Sequence, residues 1–136
     1  MKYLVDANVL SEATRPKPSP VVVQWLRDHE SEIVVTPMVL GEIEYGILLL
    51  PAGKKRTQLQ LWFRQGVQRL RVLDLDAGTA GFWAELLARL KRKGQAMPVK
   101  DSLISASAIQ HQLAIVTRNV ADFRHVGVPR IDPFSE

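Results

Sequence analysis

Short runs of β-branched and apolar residues, alternating along the whole chain with helix-length amphipathic stretches, constrain this sequence more than any other feature. Tyr3 to Val5 forms such a run and gives way to the small polar segment Asp6-Ala7-Asn8. Ile33 to Thr36 is a second, Leu70 to Leu75 an alternating third, and Leu113 to Thr117 a fourth. β-branched residues pack well on a pleated surface, so each run predicts a strand. Between them, helical spacing is read over Val21 to His29, from Pro37 to near Pro51, from Lys55 to about Arg69, over Thr79 to Lys93, and from Asp101 to Gln112. A helix also starts near Asp6-Ala7-Asn8 and runs into Ser11-Glu12-Ala13. Arg15 to Pro20 is a loop, since its three prolines remove donors and fix the backbone. Gly94 marks a helix stop. The tail from Val128 to Phe134, with two prolines, allows at most a short edge strand.

Strands that alternate with helices imply an α/β fold: a parallel β-sheet of about five strands with helices on both faces, because parallel connections must cross over. In such open sheets, ligands bind beyond the carboxyl ends of the strands, where the strand order reverses. A length of 136 residues suits one domain spanning 1–136. With 46% hydrophobic and 24% charged residues, a disordered chain is excluded. No stretch approaches the roughly 18 apolar residues of a membrane span, and the N-terminus reaches Asp6 too early for a secretory signal. The expected location is therefore the cytoplasm, without membrane contact. Absence of cysteine excludes disulfide frameworks, thiolate zinc sites and cysteine nucleophiles.

The net charge is +4, and its placement matters more than its size. Lys54, Lys55, Arg56, Arg64, Arg69 and Arg71 fall in an acid-free stretch between Glu44 and Asp74. Arg89, Lys91, Arg92, Lys93 and Lys100 fall in another between Glu85 and Asp101. Such stretches suit a polyanion, whose counterions are released on binding; they equally suit solvated helix faces.

Asp6 follows the first strand, and Asn119 and Asp122 follow the strand ending at Thr117. Glu42 lies in the first turns of the helix after the second strand, and Asp101 opens the helix leading to Thr117. The fold class brings these residues toward one rim. Each has a plainer reading: Asp101 as a helix cap, Glu42 as a solvated acid, Asn119 and Asp122 as turn formers. Asp6 resists that treatment, because acids are depleted in strands and this one directly follows an apolar run. Grouped carboxylates repel, and a hard divalent cation such as magnesium or manganese resolves the conflict. A cation so held can activate water against a phosphodiester, which gives the basic stretches a purpose.

Other chemistries lack their residues. His29, His111 and His125 have no zinc-pair spacing, and no Gly-x-Ser-x-Gly elbow, Walker loop or Gly-x-Gly-x-x-Gly occurs. Trp25, Trp62 and Trp83 sit in apolar stripes and read as core or interface.

Four segments in order, Leu4 to Glu12, Gly41 to Gly46, Pro98 to Ile104 and Val116 to Phe123, resemble the PIN-domain ribonucleases, and more narrowly the VapC toxins of the FitB-like group. The resemblance implies a magnesium- or manganese-dependent endoribonuclease of a toxin–antitoxin pair that cuts RNA. It places Asp6, Glu42 and Asp101 in the family's metal-binding acidic triad, and Asn119 at its fourth acidic position, with Asp122 three residues on. Asn119 brings no charge, which puts a second metal in doubt. Asn8 and Thr117 follow as residues that hold water and carboxylates in place. Ala7 stands where many relatives carry Ser or Thr. The resemblance also implies a homodimer, and a cognate antitoxin that lays an extended segment, often with an Arg, over the pocket. Two other readings compete: a non-catalytic RNA- or protein-binding regulator that keeps the acids, and a receiver-like phospho-acceptor domain. The second is disfavoured because Asp6 stands alone at the first strand.

Overall fold

The computed structural model describes residues 1–135. Five parallel strands, β1 (Tyr3–Val5), β2 (Ile33–Val35), β3 (Arg71–Val72), β4 (Ala114–Val116) and β5 (Arg130–Ile131), form one sheet in the order β3-β2-β1-β4-β5. Helices α1 (Ala7–Leu10), α2 (Pro20–Asp28), α3 (Pro37–Leu48), α4 (Lys54–Gln65), α5 (Ala77–Arg92) and α6 (Val99–His111) surround it. The expected α/β architecture is the one observed. Succession runs outward from β1 to β2 and β3, then returns to β4 on the other side of β1. The order therefore reverses between β1 and β4, where Leu4 pairs with Ile115 and Val5 with Val116.

The apolar runs are strands because both of their faces are covered. Leu4, Val5, Val34, Val35, Ile115 and Val116 are all buried, and Val22, Val39, Ile104 and Phe123 pack into the same core. Burying side chains of this size contributes about 1.5–3 kcal/mol each. Helix starts are set locally: the Ser19 hydroxyl accepts from Val22 N–H, the Thr36 hydroxyl from Val39 N–H, and Asp76 forms a capping box with Thr79. Pro20 and Pro37 sit in first turns, where a proline loses no hydrogen bond.

Several boundaries differ from the sequence reading. The proline loop ends at Ser19, because Pro20 begins α2. The helix read from Lys55 to Arg69 breaks at Gly66, and Val67–Arg69 forms a separate 3-10 turn. Glycine gains little from a helical backbone, so the break falls there. The run Leu70 to Leu75 keeps only Arg71–Val72 as strand, with Leu73 N–H still donating to Val35 at 2.8 Å. As the edge strand beside β2, it has a partner on one side only. Helix α6 begins at Val99, directly after Pro98, so Asp101 lies within its first turn and makes no capping bond.

Candidate active site

The carboxyl ends of β1 and β4 form the floor of the site. Asp6 leaves β1 as the cap of α1, its Oδ1 accepting from Ala7 N–H at 2.8 Å. Its Oδ2 accepts from the Thr117 hydroxyl at 2.9 Å, across the point where the strand order reverses. Thr117 is fully buried, and its oxygen also accepts from Asn119 N–H at 3.1 Å and from the Asn8 amide at 3.4 Å. Asn8 Oδ1 in turn accepts from Arg118 N–H at 3.1 Å. The two loops after β1 and β4 are thus laced together, with Asp6 and Thr117 at the centre.

Asp101 enters from the first turn of α6 and is buried, with Asp6 also buried. Burial raises the carboxyl pKa of Asp101, and the negative charges of Asp6, Asp122 and Glu42 push it further up, against the lowering by Lys100. Asp6 is raised by burial first; the bonds from Thr117 and Ala7 oppose this, and the Glu42 charge adds to it. The charge of Glu42 thus bears on both buried acids, and that of Asp122 on Asp101. Asp122 and Asn119 are exposed, and Asn119 is joined to the site by its backbone N–H donating to Thr117.

Glu42, on the second turn of α3, is half-buried. Its Oε1 accepts from Lys100 Nζ at 2.6 Å, while its Oε2 is buried and has no partner. The plain reading of Glu42 as a solvated acid therefore does not hold, nor does that of Asp101 as a cap. Lys100 is the residue that sequence reasoning placed elsewhere, with the RNA-facing basic stretch. The available signal was its position beside Asp101, in a site that carried several acids and no counter-charge. Arg89 is likewise drawn out of that stretch, donating to the carbonyls of His125 and Val126 at 2.9 and 3.1 Å.

Among the described residues, no group of three or more His, Cys, Asp or Glu side chains is gathered tightly enough to hold an ion as it stands. The chemistry of the pocket nonetheless fits a hard divalent cation. Its donors are oxygens, burial and neighbouring acids raise the pKa of Asp6 and of Asp101, and Glu42 Oε2 is a buried acceptor with no partner among the described residues. A groove of about 290 Å³ continues from it between α1, α3 and α4, lined by Asn8, Glu42, Gly46, Leu59 and Trp62 among others.

Fold and site together define a parallel α/β domain with a buried, hydrogen-bonded carboxylate, Asp6, at the strand-order reversal. The chain belongs to the PIN domain family, whose model matches residues 3–129. It is 31% identical over 137 residues to Toxin FitB of Neisseria gonorrhoeae, covering 98% of this chain and 99% of that one. With VapC ribonuclease Y4jK of Sinorhizobium fredii it shares 29% identity over 135 residues, covering 96% of each. The solved structure of FitAcB from Neisseria gonorrhoeae superposes with a TM-score of 0.91 at 30% identity, covering 98% of this chain and 99% of that one. VapBC2 from Rickettsia felis, solved on a DNA fragment from its promoter, gives 0.82 at 25% identity, covering 96% and 98%. No helix among the described residues is long and apolar enough to cross a membrane.

Proposed function

We propose that this chain is a divalent-metal-dependent endoribonuclease, the toxin of a toxin–antitoxin pair, formed by one nuclease domain acting in the cytoplasm. The observation that carries the reading is Asp6. A buried carboxylate at the end of the central strand is hydrogen-bonded to Thr117 and shares its pocket with Glu42, Asp101 and Asp122. Membership of the PIN domain family and relatives named as ribonucleases and as a toxin support it.

Asp6, Glu42 and Asp101 would hold the metal, magnesium or manganese. Bound there, such an ion supplies Lewis-acid stabilisation of phosphate oxygens and lowers the pKa of water. The chain's own groups do the placing. Thr117 fixes the Asp6 carboxylate, and Asn8 ties Thr117 to the loop that carries Asn119. Asn119, exposed on the rim, offers an uncharged donor and acceptor to the substrate. Asp122 adds negative charge beside Asp101 and favours the proton-accepting role at that edge. Water would form one P–O bond and give up a proton to a neighbouring carboxylate, while the bond to the leaving sugar oxygen breaks and that oxygen takes a proton from solvent.

The proposed partners are RNA, a cognate antitoxin and a second copy of the chain. An antitoxin that lays a cation into the acidic pocket would block metal and substrate together. The test is incubation with total RNA in magnesium, with chelator and with the Asp6→Asn protein, followed by mapping of new RNA ends. Cleavage that requires both magnesium and Asp6 is expected. Products that persist in chelator and with Asp6→Asn would overturn the assignment, and RNA binding without any product would point to a regulator.

A further inference from the structure

Lys100 precedes Asp101 in the first turn of α6, yet its side chain reaches α3 and donates to Glu42 Oε1 at 2.6 Å. One lysine thus pairs with a carboxylate assigned to the metal and is the chain neighbour of another, Asp101. Its placement is not that of an RNA-gripping side chain, because its charge is committed to the pocket. The hold is light: the side chains of Lys100 and Glu42 are 41% and 36% exposed. Ion pairs so open to water contribute little and are easily exchanged. The buried Oε2 of Glu42 has no hydrogen-bond partner among the described residues.

We propose that Lys100 is an internal counter-cation of the pocket, neutralising the acids while the metal is absent and giving up that place when a divalent ion binds. The inference rests on Asp6, Glu42 and Asp101 being the metal seat. Like charges repel, so the lysine opposes the incoming ion and metal binding becomes an exchange of one cation for another. Lys100 accordingly sets a ceiling on metal affinity and protects the metal-free pocket from its own repulsion.

Titration of the full chain with Mn2+, following the free ion by electron paramagnetic resonance at low salt and fixed pH, tests this without reference to RNA cleavage. Lys100→Met and Lys100→Gln should bind Mn2+ about tenfold more tightly than the parent, in keeping with removal of a nearby like charge. Their metal-free forms should melt at lower temperature, and Lys100→Arg should stay close to the parent in both respects. Two substitutions are used so that poor folding of one leaves the measurement intact. Equal or weaker Mn2+ binding in both neutral variants would overturn the inference, provided that the parent binds and Asp101→Asn does not. If the parent and all variants fail to bind Mn2+, the metal seat itself is wrong and the inference falls with it.

Discussion

Among the described residues, the Asp101 carboxylate accepts no hydrogen bond that would offset its burial and the charges of Asp6, Asp122 and Glu42, and it bears most plainly the tension of the site. A carboxyl whose pKa is raised by folding binds its proton more tightly when folded. The stability it contributes is full below the unfolded pKa and is lost as pH rises through the folded value. Asp6 and Asp101 are both raised, so the metal-free protein should become more stable as pH is lowered from neutrality toward the ordinary carboxylate range. Thermal melts in chelator across that range check the slope, which saturating magnesium should flatten. Asp101→Asn should abolish RNA cleavage while raising the metal-free stability at pH 7 by about 1 kcal/mol, an exchange of function against stability. A melt that falls on this substitution would contradict the electrostatic reading. Thr117→Val keeps the shape but removes the donor to Asp6 and the acceptor of Asn119 N–H. It should cost about 1–3 kcal/mol by denaturant titration and lower the cleavage rate. At this scale Asp6 was legible, because an acid at the end of an apolar run asks for a reason. The Lys100–Glu42 pair was not, since it joins residues 58 apart in sequence through a contact that only packing creates.

Among the helices, α6 shows how composition becomes placement. Its Ser102, Ser105, Ala106, Ser107 and Ala108 are buried, and small side chains let it sit close against α5. Ser102 accepts from the Trp83 indole at 2.8 Å and donates to Val99 O, and Ser105 donates to Asp101 O at 2.7 Å. Close packing and these bonds fix the first turn of α6, and hence Asp101. The Ser107 hydroxyl is buried without a partner. Ser107→Ala should therefore stabilise the protein by about 0.5–1 kcal/mol, removing an unsatisfied hydroxyl and adding helix propensity. A loss on denaturant titration would show that the hydroxyl is satisfied in solution. The existence and order of the elements could be read from periodicity, since the central strands β1, β2 and β4 are largely buried and their runs are nearly continuous. Their ends could not: Gly66 divides a helix whose apolar stripe continues to Val67, and β3 is short because an edge has one neighbour.

Over the whole molecule, the basic residues divide by use. Arg89 is structural, tied to two carbonyls, and Arg89→Gln should cost about 1–3 kcal/mol in a melt. Lys91, Arg92 and Lys93 at the end of α5 are exposed. Replacing them with Gln in the cleavage-silent Asp101→Asn protein should weaken RNA binding and reduce the dependence of log K on log salt, by about 0.7 for each phosphate that is no longer neutralised. An unchanged salt slope would assign RNA to another face. That the loops after β1 and β4 would open side by side was legible from the α/β pattern, and Asp6, Asn8, Thr117 and Asn119 are joined there. Which cations serve RNA and which serve the fold was not, because like charges in one stretch point in different directions once the helix is packed. The pairing of β1 with β4 has a further consequence. Asp6 meets Thr117 only across a sequence separation of 111 residues. A ribosome must therefore release all of that intervening chain before the two loops can join, so the site cannot form until synthesis has passed Thr117.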